Sequence, residues 1–302
     1  NKTDRIDSDN TSYYAKQNEI SWINSFTLPD TNFIMGLEKK KTEGKYESDW
    51  SATIENIFND KAVFISINHT LNGFMDGKTL LETSIRKDFF DKFDDTVSYK
   101  IGFKHFHGHI DGLSTSMNYY KATDAPNSYQ IANTVFGHIL TPDPTKGYEI
   151  SNSYKDISLT YFSNTIDNRL GYDNDNWGYI NYEGKEKASG LEFDVSHTFT
   201  ELSTILSMNY THLLNYEDEE GFILEKRAEE TLNISLNRYT SNNTHYGINA
   251  QYIGDRIEYH WNTHAIKAKT GNYTIWNLNF STEFIDDIDL NINAKNIFDK
   301  EY

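Results

Sequence analysis

Strict alternation of apolar and polar residues, links that alternate between short and long, and a scarcity of proline predict an all-β fold. The specific expectation is an antiparallel up-and-down transmembrane β-barrel. The alternation is plainest near the C-terminus. Trp276, Leu278 and Phe280 face one way and Asn277, Asn279, Ser281 and Glu283 the other. After an acidic turn, Ile288, Leu290, Ile292 and Ala294 oppose Asp289, Asn291, Asn293 and Lys295. Side chains alternate across a strand, so a period of two gives one apolar wall and one wet wall. Four prolines in 302 residues fit long paired strands, where each proline would delete a ladder donor. A soluble sandwich also alternates, but it hides its apolar face in a core, whereas a barrel turns that face to lipid.

Taken in order, apolar columns and turn residues give about fourteen strands. Ile20, Trp22 and Phe26 share a face before a Pro29-Asp30 turn, and Phe33, Met35 and Leu37 follow. Val63, Ile65 and Ile67 come next, then Leu81, Thr83 and Ile85. Val97, Tyr99, Ile101 and Phe103 then oppose Ser98, Lys100, Gly102 and Lys104, and two lysines in register suit a wet lumen better than a packed core. Leu113 to Tyr119, Ile157 to Tyr161, Leu191 to Val195, Leu202 to Tyr210, Leu232 to Leu236 and Tyr246 to Tyr252 repeat the pattern. No segment reads as an amphipathic helix. Short links fall at 29–31, 108–111, 155–156, 200–201, 241–243 and 286–287, with longer ones at 46–59, 121–146, 168–181, 215–227 and 253–272. The links at 71–78 and 89–95 are less regular. Short-long alternation marks periplasmic turns and extracellular loops, and a Greek-key sandwich has no reason to show it.

Composition narrows the functional classes. The net charge of -17 argues against a nucleic-acid partner, because phosphate binding needs a basic surface. Cysteine is absent, which removes disulfides, thiolate metal sites and thiol nucleophiles. Mean hydropathy is -0.69 and no apolar run is long enough for a membrane helix, yet strands polar at alternate positions average to hydrophilic. With 21 Tyr and 18 Phe, the chain is equipped for aromatic girdles at two interfaces. The first residues, NKTDRIDSDN, contain no signal-peptide pattern, and the chain reads as a piece of something longer. No nucleophile elbow or fixed acid–base pair is present, so no enzyme is expected and no catalytic residue is assigned.

Five local motifs, in order, resemble the barrel of TonB-dependent outer-membrane receptors. Asn296-Ile297-Phe298-Asp299-Lys300-Glu301-Tyr302 is similar to the family's N-L-F-D-K-x-Y, which ends the penultimate strand. Leu140 to Glu149, with Pro142, Tyr148 and Glu149 in place, resembles L-x-P-E-x-S-x-x-Y-E, with Asp143 and Thr145 as conservative departures. Ala125-Pro126-Asn127-Ser128-Tyr129-Gln130 looks like the A-P-x-x-Y-Q run before it. Tyr182, Gly184 and Gly190-Leu191-Glu192 fit Y-x-N-x-G…G-x-E, although Glu183 stands at the Asn position. Asn209-Tyr210-Thr211 with Arg227 and Thr231-Leu232-Asn233 fits the next hairpin. The resemblance implies that residues 1–302 are a partial barrel, about fourteen of twenty-two strands, lacking the plug domain, the first seven strands and the last. It further implies a monomer in the bacterial outer membrane, embedded in its lipid and worked by TonB through the missing plug. The cargo would be cobalamin or a ferric siderophore, with short loops favouring the former. A passive porin without a plug and a haem receptor are the alternatives.

Uptake needs loops that catch a ligand rather than catalysis, so the candidate ligand-binding residues are aromatic and polar ones on the long loops. Tyr129 and His138 lie in the longest, where haem receptors place an iron-ligating histidine. The downstream box is degenerate here, which favours an ordinary loop histidine. Trp177 either stacks on a ligand or anchors at the lipid interface. Arg256, Tyr259 and Trp261 sit on the last long loop, where Arg256 would meet an anionic cargo or pair with Glu258 or Asp255. Lys100, Lys104, Glu192 and Asp194 point inward and are expected to line the channel or touch the plug. The run Asp173 to Gly178 has oxygens at alternate positions but lacks the downstream bidentate Glu of a calcium loop. His105, His107 and His109 recur at period two, too sparse a set for a metal site. No metal and no cofactor are expected.

Overall fold

The computed structural model describes residues 2–6, 11–48, 51–240, 243–260, 265–285 and 288–301. Trp261 and Tyr302, and most of the short links at 241–243 and 286–287, lie outside the described residues. The chain is almost entirely strand and forms two compact units. One comprises residues 1–108, 116–148 and 164–187, and the other residues 109–115, 149–163 and 188–302.

The first unit holds β1 (Lys2–Ile6), β2 (Ser12–Leu28), β3 (Thr31–Ser48), β4 (Ser51–Phe74), β5 (Gly77–Phe89) and β6 (Thr96–Phe106). It also holds most of β7 (Leu113–Asp124), the helical turn α1 (Ser128–Ala132), the start of β8 (Asp143–Tyr154) and the end of β9 (Ile157–Asp167). A small hairpin of β10 (Leu170–Asp173) and β11 (Gly178–Asn181) belongs to it too. The second unit takes the rest of those strands, most of β12 (Lys185–Phe199), and β13 (Thr204–Glu217), β14 (Glu230–Tyr239) and β15 (His245–Ile253). It continues through β16 (Arg256–Tyr259), β17 (Ile266–Thr270), β18 (Tyr273–Ile285) and β19 (Ile288–Ala294). Hydrogen-bonded order follows sequence order in a 15-stranded antiparallel meander running from β1 to β19, with β10–β11 and β16–β17 standing apart as two-stranded hairpins.

The registers put the alternating columns where the sequence places them. Trp22 opposes Leu37 and Phe26 opposes Phe33 across β2–β3. Leu81, Thr83 and Ile85 oppose Phe103, Ile101 and Tyr99 across β5–β6. This apolar wall is bare, with Ile20 76%, Ile101 57% and Trp22 53% exposed. Among the described residues only Phe58, Ala62, Leu140 and Leu224 are buried hydrophobics, so neither unit has the core a soluble sandwich requires. An apolar sheet face this open is matched to hydrocarbon rather than to water.

The opposite wall is ionic and internally paired. Arg86 reaches Glu38 at 2.7 Å and Asp88 at 2.9 Å, Lys100 reaches Glu82 at 2.8 Å, and Lys40 lies 3.6 Å from Asp60. Lys104 extends over the Phe106 ring at 5.2 Å. In the second unit Asp194 accepts from Asn209 at 2.6 Å, and Glu192 lies close enough to Asp194 and Glu149 for their charges to repel.

Several sequence expectations need correction. The loop expected at 46–59 is strand on both sides, since β3 continues to Ser48 and β4 starts at Ser51. Beyond the apolar wall β3 carries no repeating apolar residues, and the spacing Lys41-x-Glu43 and Lys45-x-Glu47 forms same-face ion pairs at 2.6 Å each. Such a ribbon lacks the apolar column used to recognise strands. The same blindness hid β1, whose Lys2–Ile6 segment has no alternation and is held by its ladder to β2. The loops at 168–181 and 253–272 contain hairpins of their own. One loop carries α1, and Thr200–Leu202 forms a 3-10 turn closed by Ser203 at φ 47°.

Candidate functional site

The longest loop is built around a one-turn helix that the sequence caps itself. The Asn127 side chain accepts from Gln130 N–H at 3.0 Å, and Gln130 Oε1 accepts from Asn127 N–H at 2.9 Å, a reciprocal capping box. The A-P-N-S-Y-Q run therefore encodes a shaped loop. Helix α1 docks on the extended part of β3, where Gly44 is open because a Cβ there would collide with Ser128. Tyr129 packs edge-on against Tyr13 at 5.4 Å, Tyr46 at 6.2 Å and Tyr179 at 6.2 Å, and Tyr179 packs on Tyr172 at 5.2 Å. Tyr129 is thus the hub of an aromatic cluster that positions loops.

Backbone bonds tie this loop to the β10–β11 hairpin. Val135 N–H donates to Tyr179 O at 3.2 Å, and Tyr179 N–H to Asn133 O at 2.8 Å. These bonds join the loop that carries Tyr129 and His138 to the hairpin that carries Trp177. Trp177 sits at φ 55° on the hairpin tip, 80% exposed. His138 is exposed beside Phe136 and Ile139. The Asp173 carboxylate is occupied by its own turn, accepting from Asn176 Nδ2 at 2.7 Å and from Asp175 N–H at 2.8 Å. The Asn176 bond, followed by these backbone donors, holds Asp173 below the usual carboxylate range.

Beneath α1 lies a cavity of about 370 Å³ that motif reading missed. Tyr13, Phe58, Phe90 and Phe93 supply its aromatic lining, Lys40 and Asp60 its charge, and Asn127 its rim. Phe93 stacks on Phe58 at 6.3 Å and meets Phe90 edge-on at 5.9 Å. Burial raises the Tyr13 phenol above its ordinary value, which keeps it a neutral hydrogen-bonding group. The Phe89-Phe90 pair with Phe93 in a brief link was the available signal, but Phe58 stood in a segment read as loop.

Arg256 and Tyr259 belong to the second unit. Arg256 lies over the Tyr273 ring at 5.4 Å, while Glu258 pairs with Lys267 at 2.9 Å. The expected ion pair of Arg256 with Glu258 or Asp255 is replaced by this arrangement, since the β16–β17 register puts Lys267 within reach of Glu258. Tyr259 packs on Phe222 at 5.8 Å and donates its backbone N–H to Glu225.

The motif residues show why their types are required. Asn296 adopts φ 49°, and its side chain bridges to Lys300 N–H at 2.9 Å and Lys300 O at 3.0 Å. Asp299 follows at φ 49°, and Phe298 turns back to meet Trp276 edge-on at 6.4 Å. A Cβ on Gly190 would meet the Phe162 ring at 2.9 Å. Pro142 follows Thr141, whose N–H donates to Asn181 Oδ1 at 2.8 Å. Tyr148 points out of the apolar wall, and Glu149 lies on the opposite face near Glu192.

The family model described as "TonB dependent receptor-like, beta-barrel" matches residues 3–297. The chain belongs to the TonB-dependent receptor family. The curated relatives of this receptor chain include the vitamin B12 transporter BtuB of Vibrio cholerae serotype O1, 24% identical over 301 residues, covering 97% of the chain and 47% of the relative. Its fold matches the ferric enterobactin receptor PfeA of Pseudomonas aeruginosa with a TM-score of 0.79 at 17% identity, covering 97% of the chain and 50% of that structure. The siderophore receptor PirA of Acinetobacter baumannii gives a TM-score of 0.77 at 14% identity, with 96% and 51% covered. The receptor chain spans about half the length of the curated relatives it matches.

Proposed function

We propose that residues 1–302 are barrel from an outer-membrane active transporter that takes up cobalamin or an iron–siderophore complex into the periplasm. A plug domain outside these residues would fill the lumen, and TonB would act through it. The observation that carries this reading is the bare apolar wall backed by an ionic wall, with a capped loop and an aromatic cavity above them. An outward face of this kind needs lipid. The cavity, with flat rings, Lys40 and Asp60, suits a large ligand with both apolar and polar edges. Glu149, Glu192 and Asp194 crowd like charges on the luminal face, an arrangement that a cationic surface of a plug would relieve.

The test uses the full-length gene product. Cells carrying it should accumulate labelled cobalamin or a labelled ferric siderophore, and deleting TonB should abolish that uptake. Purified protein should be nearly silent in a planar bilayer. Steady ohmic conductance with TonB-independent uptake would instead establish a passive porin.

A further inference from the structure

The cavity under α1 holds a carboxylate among aromatic rings. Phe58 and Asp60 stand two residues apart on one face of β4, opposite Thr42 and Lys40 of β3, and Tyr13 and Gln17 of β2 continue that lining. Phe90 and Phe93 come in from the link after β5. Asp91 anchors that link, its Oδ2 accepting from Asn59 N–H at 3.0 Å and from Asn59 Nδ2 at 3.2 Å. Asp60 lies beyond the outward apolar columns, which end at Leu37 and Val63 on these two strands.

This carboxylate is short of positive charge. Lys40 Nζ lies 3.6 Å from Asp60 Oδ2, and that lysine is partly exposed. Among the described residues Asp60 Oδ1 is buried and accepts no hydrogen bond. Arg86, the next cation on this face, is already held by Glu38 at 2.7 Å and Asp88 at 2.9 Å. Glu38, Asp60, Asp88 and Asp91 therefore outnumber Lys40 and Arg86. Burial pushes the Asp60 carboxyl above its ordinary value, Lys40 opposes that shift, and the charges of Asp91 and Asp88 add to it. An anionic guest would meet repulsion here, and a wholly apolar one would desolvate the carboxylate further. A calcium ion needs six or more oxygens, where this lining offers rings. An organic cation answers both features, because the faces of aromatic rings attract positive charge.

We propose that this cavity binds a primary ammonium group carried on a short alkyl arm of the cargo. The ammonium donates to Asp60, its methylenes lie along Phe58, Phe90 and Phe93, and Thr42 supplies a further oxygen acceptor in the same lining. At about 370 Å³ the cavity stands near the small end of ligand pockets, roughly 300–1,000 Å³, so it suits an arm rather than a whole complex. Lys40 shares the carboxylate and competes with the arriving cation. The inference rests on the transport reading and narrows its cargo to a complex with a free amine.

The experiment compares full-length wild type with Asp60→Asn, Lys40→Gln and Phe93→Leu, each first checked as a folded barrel by heat-modifiable migration in gels. Titration calorimetry in detergent measures binding of pentylamine, with pentanol and pentanoate as uncharged and anionic probes. We expect wild type to bind pentylamine at least tenfold more tightly than pentanol. Asp60→Asn should lose at least tenfold and Phe93→Leu a smaller factor, whereas Lys40→Gln, freed of the competing cation, should bind more tightly. Equal pentylamine affinity in wild type and Asp60→Asn would overturn the site, as would pentanol or pentanoate matching pentylamine. Cells then take up a labelled ferric trihydroxamate with a terminal amine, or its N-acetylated form. Preference for the amine form, lost in Asp60→Asn, supports the cargo arm. Uptake of both forms alike, or of neither, with pentylamine still bound at Asp60, would overturn that assignment and leave a site for a free amine. TonB-independent uptake with steady ohmic conductance would refute the transporter reading itself, a result separate from the calorimetry.

Discussion

Lys100 and Ile101 are neighbours in the chain and face opposite environments, so the pair measures which wall meets lipid. Ile101 is 57% exposed at the middle of β6, between the outward Tyr99 and Phe103. A lysine there would sit near mid-bilayer, costing about 2–4 kcal/mol. Lys100 pairs with Glu82 at 2.8 Å, with 38% of its side chain exposed, so removing it forfeits a solvated ion pair worth about 0–1 kcal/mol. Ile101→Lys should therefore exceed Lys100→Ala by about 2 kcal/mol, roughly 30-fold in the folding equilibrium at ~1.4 kcal/mol per decade. The assay is reversible denaturant titration of the full-length protein in lipid vesicles, with folding read by tryptophan fluorescence and gel migration. Equal losses from the two substitutions, or a larger loss from Lys100→Ala, would refute the assigned orientation of the strand.

Four further expectations follow from individual residues. Gly44→Val should push Ser128 off β3 at a local cost of about 1–3 kcal/mol, lowering cargo affinity in titration calorimetry while leaving barrel insertion unchanged. Gly190→Val should act on the barrel itself, because its side chain would strike the Phe162 ring and the His212 carbonyl; heat-modifiable folding should fall, and normal folding would contradict the close approach. Asn296→Ala removes both side-chain bonds to Lys300 at φ 49°, and should cost about 1–2 kcal/mol in the same vesicle titration. Glu258 is held below its ordinary pKa, first by its hydrogen bond to Lys267 and then by that ammonium's charge. Its contribution to the β16–β17 hairpin is therefore complete above the unfolded value of about 4.3 and is lost as pH falls through the lower folded value. Limited proteolysis of residues 255–270 should be flat from pH 8 to pH 5 and rise only in stronger acid, whereas a rise near neutrality would exclude this pair as its cause.

The strands that contact lipid were legible in the sequence because water and hydrocarbon impose a period of two, as in Val97 to Phe103 and Trp276 to Phe280. The turns at Asp30 and Lys155 were legible too, from the brevity of their links. Where no apolar column repeats, the period is lost. The β3–β4 ribbon beyond Lys39, the β16–β17 hairpin and β1 are defined instead by ladder bonds to their neighbours. The candidate site divides in the same way. Tyr129, His138 and Trp177 could be nominated singly, but only the bridge between residues 133–135 and Tyr179 joins the loop of the first two to the hairpin of the third. Tyr129 packs against Tyr13, and the cavity beneath α1 is lined by Phe58, Phe90, Phe93 and Lys40 from segments far apart in sequence. Sequence by itself determined the strand faces, the family motifs and the exclusion of thiol and nucleic-acid chemistry, because those depend on residue type and spacing alone. Tertiary structure decided which loop residues share a pocket and which charges find partners, because these depend on distances that strand register sets.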